Sequence, residues 1–317
     1  DETKNYSIPD AITFSLELKK NTLKDNSFRD YRIRIKSFEK WLLANGFENR
    51  YITAVNKKTI VTFLNSVLST TSAKNRNNTR AILSMFFQSL EDNDIIPDNF
   101  VKKINVLKSN PERNKTYSSK QEVDIFNYLK SNDELMLLFI QFISYNHLRP
   151  VEVIRLQIKD VNVKDRRIYV RAKNKAVKVK IIPEILLSTL PDLEKFHPES
   201  YFFTPNGIGH EWATNETDKR DYFSKRFKKV KDSLGLGKDY GLYSFRHTFI
   251  TKLYHEFIKN STPFEAKSKL MLITGHETMV ALDKYLRDID AVVVEERQHH
   301  SENHVERTAT AHIVERK

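Results

Sequence analysis

Glycine is the residue this chain uses most sparingly. Seven occur in 317 residues, and none lies between Phe47 and Asn206. Glycine supplies most of the cheap left-handed and strained backbone positions, so a chain this poor in it has few places to break a helix. Long helices with short connections are therefore expected.

The apolar periodicity agrees. Phe28, Tyr31, Ile35, Phe38 and Leu42 recur at spacings of three and four, the stripe of an amphipathic helix. Ser27 reads as its N-cap, with Asp30 three residues on, and Asn45-Gly46 as its end. A second helix is expected from Lys58 to about Leu68, a third from about Asn77 to Glu91 with Ile82, Met85, Phe86 and Leu90 inward, and a shorter one after Pro97. Residues 1–107 read as a helical bundle. Residues 108–117 are polar, basic and contain Pro111, the pattern of a linker.

A new helix is expected from a cap at Ser118 or Ser119 through Val123, Phe126 and Leu129, and Leu135–Ser144 is apolar enough for a buried one. The period then changes. Arg167–Arg171 and Val177–Ile182 alternate as strands do, around the basic tip Ala172-Lys173-Asn174-Lys175-Ala176, and Pro183 ends the hairpin. Helical patterns return over Lys219–Leu234, Tyr243–Ile258, Phe264–Ile273 and Thr278–Arg287. The fold class is mainly α: a helical bundle plus a mostly helical second domain, residues 118–290, with a small antiparallel β-sheet. Residues 291–317 read as a polar, His-rich tail, in which Val292-Val293-Val294 is the apolar stretch.

The absence of cysteine excludes a disulfide scaffold, a thiolate zinc site, an iron–sulfur cluster and a cysteine nucleophile. No stretch approaches the roughly 18–20 apolar residues of a membrane span, and the N-terminus lacks a secretory pattern, so an intracellular, cytoplasmic setting is expected. The sequence opens on Asp1 and not on Met, so the natural chain is expected to extend further. The net charge of +12 points to a polyanionic partner. Six basic and no acidic residues lie between Arg50 and Leu90, and further runs span Arg166–Lys180 and Lys225–Lys231. Lys57, Lys58, Lys74, Arg76, Arg80, Lys175, Lys225, Lys228 and Lys229 are the expected phosphate contacts.

Four segments carry potential chemistry. In Leu148-Arg149-Pro150-Val151-Glu152, a carboxylate three residues from an arginine can hold its guanidinium. Lys173 sits on the hairpin. Tyr243-Ser244-Phe245-Arg246-His247 opens a helix. Gly275-His276 precedes Tyr285 by nine residues, counted from the histidine. Each alone has an ordinary reading: a surface ion pair, an exposed turn lysine, a helix start, a core tyrosine.

In this order and spacing the four resemble the boxes of the tyrosine recombinase, or phage-integrase-like, family. The resemblance covers residues 118–290 and is joint, since no single box is specific. It implies a site-specific recombinase or integrase, of a mobile genetic element, that cuts and rejoins DNA through a 3′-phosphotyrosine. It implies catalytic roles for Arg149, Lys173, Tyr243, Arg246, His276 and Tyr285, with Glu152 and His247 in support, His247 by packing its helix. It also implies double-stranded DNA as partner, clamped between two domains, a homotetramer on two DNA sites, accessory DNA-bending proteins, and no membrane. The core-binding domain would be residues 1–107, beginning too near the start of the chain to leave room for an arm-binding domain.

One position departs from the family: Tyr243 stands where its first histidine is expected, and a phenol with a pKa of about 10 is a poor proton acceptor at neutral pH. The chemistry is otherwise coherent. Two guanidiniums give two-pronged donation to phosphate oxygens, a phenol can hold the phosphate covalently, and a mobile lysine can protonate the departing 5′ oxygen. No metal or other cofactor is required, because the arginines supply the positive charge. His299, His300 and His304 lie in the tail with no set carboxylate geometry, so no metal site is expected there. Two other readings use the same residues: a type IB topoisomerase-like enzyme that religates the original strand, and an inactive DNA-binding protein in which Tyr243 marks a decayed site.

Overall fold

The computed structural model describes residues 5–109, 115–171 and 177–289. It divides into two units, residues 1–111 and 112–317. Among the described residues no helix is long and apolar enough to cross a membrane.

The first unit opens with a helix that the apolar stripe did not signal. Helix α1 (Ile8–Thr22) is capped by Ser7, whose hydroxyl accepts from the Asp10 N–H, and carries Pro9 in its first turn. Its buried face is only Ile8, Ala11, Ile12 and Ser15, too short and too mixed to stand out as a periodicity. Helix α2 (Asp25–Ala44) has Lys24 at its N-cap position, so Ser27 lies in its first turn and is not the cap. Tyr31, Ile35, Phe38 and Leu42 are buried. Helices α3 (Lys57–Thr70) and α4 (Ala73–Glu91) are capped by Asn56 and Ser72. Helix α4 thus begins before Asn77 and turns Leu83, Phe86, Phe87 and Leu90 inward, with Ile82 and Met85 at the edge of the core. After Pro97 the chain makes only a short 3₁₀ turn, Phe100–Lys103.

A hydroxyl knot crosses this core. Ser15 Oγ lies 2.6 Å from Tyr31 Oη and 2.8 Å from Ser89 Oγ, joining α1, α2 and α4. All three groups are buried, so each must find its partner inside. Burial pushes the Tyr31 phenol up to about 12.

The second unit holds the sheet. Helix α5 (Ser119–Asn132) has a complete capping box between Ser118 and Gln121. It buries Ile125 and Leu129, whereas Val123 is exposed. Helix α6 (Glu134–Tyr145) is the central buried helix, followed by the single turn α7 (Pro150–Val153). Strands β1 (Val161–Asn162), β2 (Arg167–Val170) and β3 (Lys178–Ile181) form an antiparallel sheet in the order β1-β2-β3. Helices α8 (Glu184–Leu187), α9 (Glu216–Ser233), α10 (Leu242–Ile258), α11 (Pro263–Thr274) and α12 (Met279–Asp288) complete it. Leu282 and Leu286 of α12 close a small separate core with Ile250, Tyr254, Ala266 and Leu270.

The shortage of glycine leaves a mark on the backbone. Among the described residues, three other than glycine adopt positive φ: Asp94, His147 and Arg166. All three lie in the glycine-free stretch. Each costs on the order of 1 kcal/mol, which the surrounding packing must offset.

Candidate active site

His147, with φ +51°, turns the chain sharply between α6 and α7 and so directs Arg149. Arg149 is the N-cap of α7. One oxygen of Glu152 accepts the Arg149 backbone N–H at 2.7 Å, and the other accepts Arg149 Nη1 at 2.9 Å. The Glu152 side chain is 8% exposed and that of Arg149 37%. This is no ordinary surface pair: the acid is the buried anchor and the guanidinium is the presented end. Burial works against the Arg149 charge, but Glu152 and a hydrogen bond to the Tyr243 phenol outweigh it and hold its pKa above the ordinary value.

Arg246, on the first turns of α10, is 1% exposed. Its Nε donates to the His147 carbonyl at 2.9 Å and its Nη2 to the Thr274 carbonyl at 3.3 Å. The guanidinium carbon lies 5.3 Å from the ring centre of Tyr285. Helix α12 brings that ring in from the other side, packed 5.0 Å from the His276 ring. Burial pushes the Tyr285 phenol up to about 12, although Arg246 and Arg149 favour its ionised form. The hydroxyl is therefore protonated near neutrality.

His247 was expected to pack its helix. It instead reaches the phenol: His247 Nδ1 lies 2.8 Å from Tyr285 Oη. Tyr243 and His247 are four residues apart on one helix face, with ring centres 5.1 Å apart. That spacing is visible in the sequence and was the signal available. His276 follows Gly275, the left-handed C-cap of α11, and its Nδ1 lies 2.6 Å from Thr274 Oγ1. Burial, then Arg246, Arg149, Lys178 and Lys180, bring the His276 imidazole down to about 4, so it is neutral.

Arg149, Glu152, Tyr243, Arg246, His247, His276 and Tyr285 are thus brought together. Lys173 and Lys175 lie outside the described residues, as do His299, His300 and His304. Two lysines not anticipated do reach the site, Lys178 and Lys180 of β3.

The expected phosphate contacts divide. Lys57, Lys58 and Lys74 are exposed on α3 and α4, and Lys225 and Lys229 on α9. Lys228 is exposed and paired with Asp232 at 2.5 Å. Arg76 is a correction: it is 5% exposed, and its Nη1 donates to the Asn105 carbonyl at 2.7 Å. Arg80 donates to the carbonyls of Ile104 and Lys102, at 2.6 and 2.9 Å. Both guanidiniums latch the chain that follows α4, as does Asn77, whose Nδ2 donates to the Leu107 carbonyl at 2.8 Å.

The Phage integrase family model matches residues 115–290. No curated protein matches the chain. Among solved structures, a lambda integrase dimer bound to a COC′ core site is similar at 16% identity and a TM-score of 0.68, over 87% of this chain and 75% of that one. A lambda integrase tetramer bound to a Holliday junction is similar at 15% identity and a TM-score of 0.65, over 84% and 76%. The Tn1549 transposon integrase in complex with circular intermediate DNA is similar at 16% identity and a TM-score of 0.64, over 92% and 99%.

Proposed function

Because the chain belongs to the phage integrase family of tyrosine recombinases, we propose that it is a site-specific DNA recombinase, the integrase of a mobile genetic element, and that Tyr285 is its nucleophile. The observation that carries this reading is the surround of one hydroxyl. Tyr285 Oη has His247 Nδ1 at 2.8 Å, the Arg246 guanidinium against its ring, and the Glu152-anchored Arg149 close enough to favour its ionised form.

In this reading Arg149 and Arg246 receive the non-bridging oxygens of one DNA phosphate and stabilise the charge that builds there. Tyr243, which accepts from Arg149, is a donor to the same oxygens. His276, kept neutral with its Nδ1 accepting from the Thr274 hydroxyl, donates to one through Nε2 as well. The phenol gives its proton to His247 Nδ1 as its oxygen bonds to phosphorus. The bond from phosphorus to the 5′ oxygen breaks, and that oxygen takes a proton from Lys173. A 5′-hydroxyl from a second DNA then attacks the phosphotyrosine, and the steps run in reverse. Residues 1–107 would act as the core-binding domain, with Lys57, Lys58 and Lys74 on phosphates. Assembly as a tetramer on two DNA sites, with accessory DNA-bending proteins, belongs to the same reading.

The test is capture of covalent complexes. The protein is mixed with nicked, fragmented DNA from the genome that encodes it, stopped in detergent, and the attached ends are sequenced. The wild type should leave 3′-linked adducts at a recurrent sequence, and Tyr285→Phe should bind duplex equally and leave none. Adducts from Tyr285→Phe would overturn the nucleophile. Wild-type adducts with relaxation of supercoils but no joining of two duplexes would favour a topoisomerase, and duplex binding without adducts an inactive DNA-binding protein.

A further inference from the structure

Strand β3 is built inside out. Val179 and Ile181 are 54% and 77% exposed, while Lys178 and Lys180 stand opposite the buried Val170 and Ile168 of β2 and share their face. Cross-strand partners point the same way, so the register turns two ammonium groups inward and two apolar side chains out. That arrangement sacrifices hydrophobic burial, and the inward lysines must supply something in return.

They meet the two backbone segments that carry the active-site side chains. Lys180 Nζ donates to the Asn146 carbonyl at 2.9 Å and to the Ile273 carbonyl at 3.0 Å. Asn146 lies three residues before Arg149, and Ile273 three residues before His276. Arg246 joins the next pair along, the carbonyls of His147 and Thr274. Lys178 Nζ takes the carbonyl of Gly275 at 2.8 Å. Three successive carbonyls at the C-terminus of α11 therefore each receive a cation, at the helix end where unpaired carbonyls and the negative dipole end favour one. Asn146 closes the circuit, its Nδ2 donating to the Ile181 carbonyl at 2.8 Å.

We propose that Lys180 is a positioning residue of the active site, its one ammonium fixing the spacing between the loop that carries Arg149 and the helix end that carries His276. Arg246 is the second rung of the same ladder and cannot be replaced without losing a group that faces the phosphate. Lys180 spans the two segments with one group. Burial, with Arg246, Arg149 and Lys178 nearby and Glu152 opposing them, brings its ammonium down to about 7, so its hold on the two carbonyls rests on geometry more than on full charge. Its effect on catalysis rests on the reaction proposed above; its effect on spacing does not.

The test uses Lys180→Met, which keeps the stem and removes the head, and Lys180→Arg, which can still span two carbonyls. In DNA-free protein, amide hydrogen exchange should speed roughly tenfold in Lys180→Met, in both the Asn146–Arg149 and the Ile273–His276 segments. Lys180→Arg should keep both protected, and α5 should not change in either variant. Where adducts form, Lys180→Met should make them at least tenfold more slowly with duplex affinity unchanged, and Lys180→Arg should recover most of the rate. Unchanged exchange, or exchange that speeds in one segment only, overturns the proposal. If Lys180→Met does not fold, Lys180→Gln, too short to reach both carbonyls, decides by the same exchange measurement. Wild-type protein without adducts refutes the reaction and leaves the exchange experiment to decide on Lys180.

Discussion

The Tyr285 hydroxyl faces Nδ1 of His247 at 2.8 Å, a hydrogen bond between a half-buried phenol and an imidazole from a different helix. Because burial holds the phenol near 12, attack on phosphorus at neutral pH needs a proton acceptor, and this ring nitrogen is in contact. His247→Ala should lower the rate of adduct formation by about 100-fold with duplex affinity unchanged. His247→Gln, able to hold the hydroxyl but not to take its proton, should recover little. Recovery to wild-type rate in the glutamine variant would reduce His247 to an orienting role.

Arg149 and Arg246 should respond differently to the same change. Arg246 is buried and spends two donors on the carbonyls of His147 and Thr274. Lysine keeps the charge but lacks the fixed Nε and Nη2 donors that serve these two carbonyls from α10, so Arg246→Lys should lose stability, by about 1–3 kcal/mol, as well as activity. The Arg149 side chain is 37% exposed and its fold contact is Glu152. Arg149→Lys should lose activity with a melting temperature close to wild type. Thermal denaturation beside the adduct assay separates the two, and equal melting temperatures would refute the assignment of Arg246 as a structural bridge.

Much of this was legible in the sequence, for reasons that also explain what was not. Helix α2 announced itself because Tyr31, Ile35, Phe38 and Leu42 all point inward. Helix α1 did not, since Ser15 interrupts its short buried face to reach Tyr31 and Ser89, a contact across 74 positions that no local pattern encodes. The alternation of β3 identified a strand but not its orientation; an apolar–basic alternation ordinarily buries the apolar set, and here bonds to Asn146, Ile273 and Gly275 reverse it. The basic run from Arg50 to Arg80 was visible as charge, yet charge does not distinguish the exposed Lys74 from the buried Arg76.

His147 gives a pH signature. Burial, then Lys180 and Arg246, bring its imidazole down to about 3 from its ordinary 6.5. Between those values the unfolded chain holds a proton that the native protein does not. Stability therefore falls as pH drops from 6.5 towards 3, by up to about 1.4 kcal/mol per pH unit, and this group contributes no slope above that window. His147→Asn keeps a residue that tolerates positive φ and removes the titration. Urea melts on the acid side of neutrality should show a shallower loss in the variant by about that amount. Parallel slopes would show that His147 is not neutral in the native state.

Salt dependence separates the cations that face DNA from those that hold the chain. Lys57, Lys58 and Lys74 are exposed, so each that meets a phosphate releases a counterion on binding. Replacing one with alanine should reduce the slope of log affinity against log salt by about 0.9 on a random-sequence duplex. Arg76 carries the same charge but is 5% exposed, with a donor committed to the Asn105 carbonyl at 2.7 Å. Arg76→Ala should leave the slope unchanged and cost about 1–3 kcal/mol of stability, because that carbonyl loses its partner. The two measurements are independent, so a fall in slope for Arg76→Ala as large as for Lys74→Ala would mean that the guanidinium leaves its carbonyl when DNA arrives.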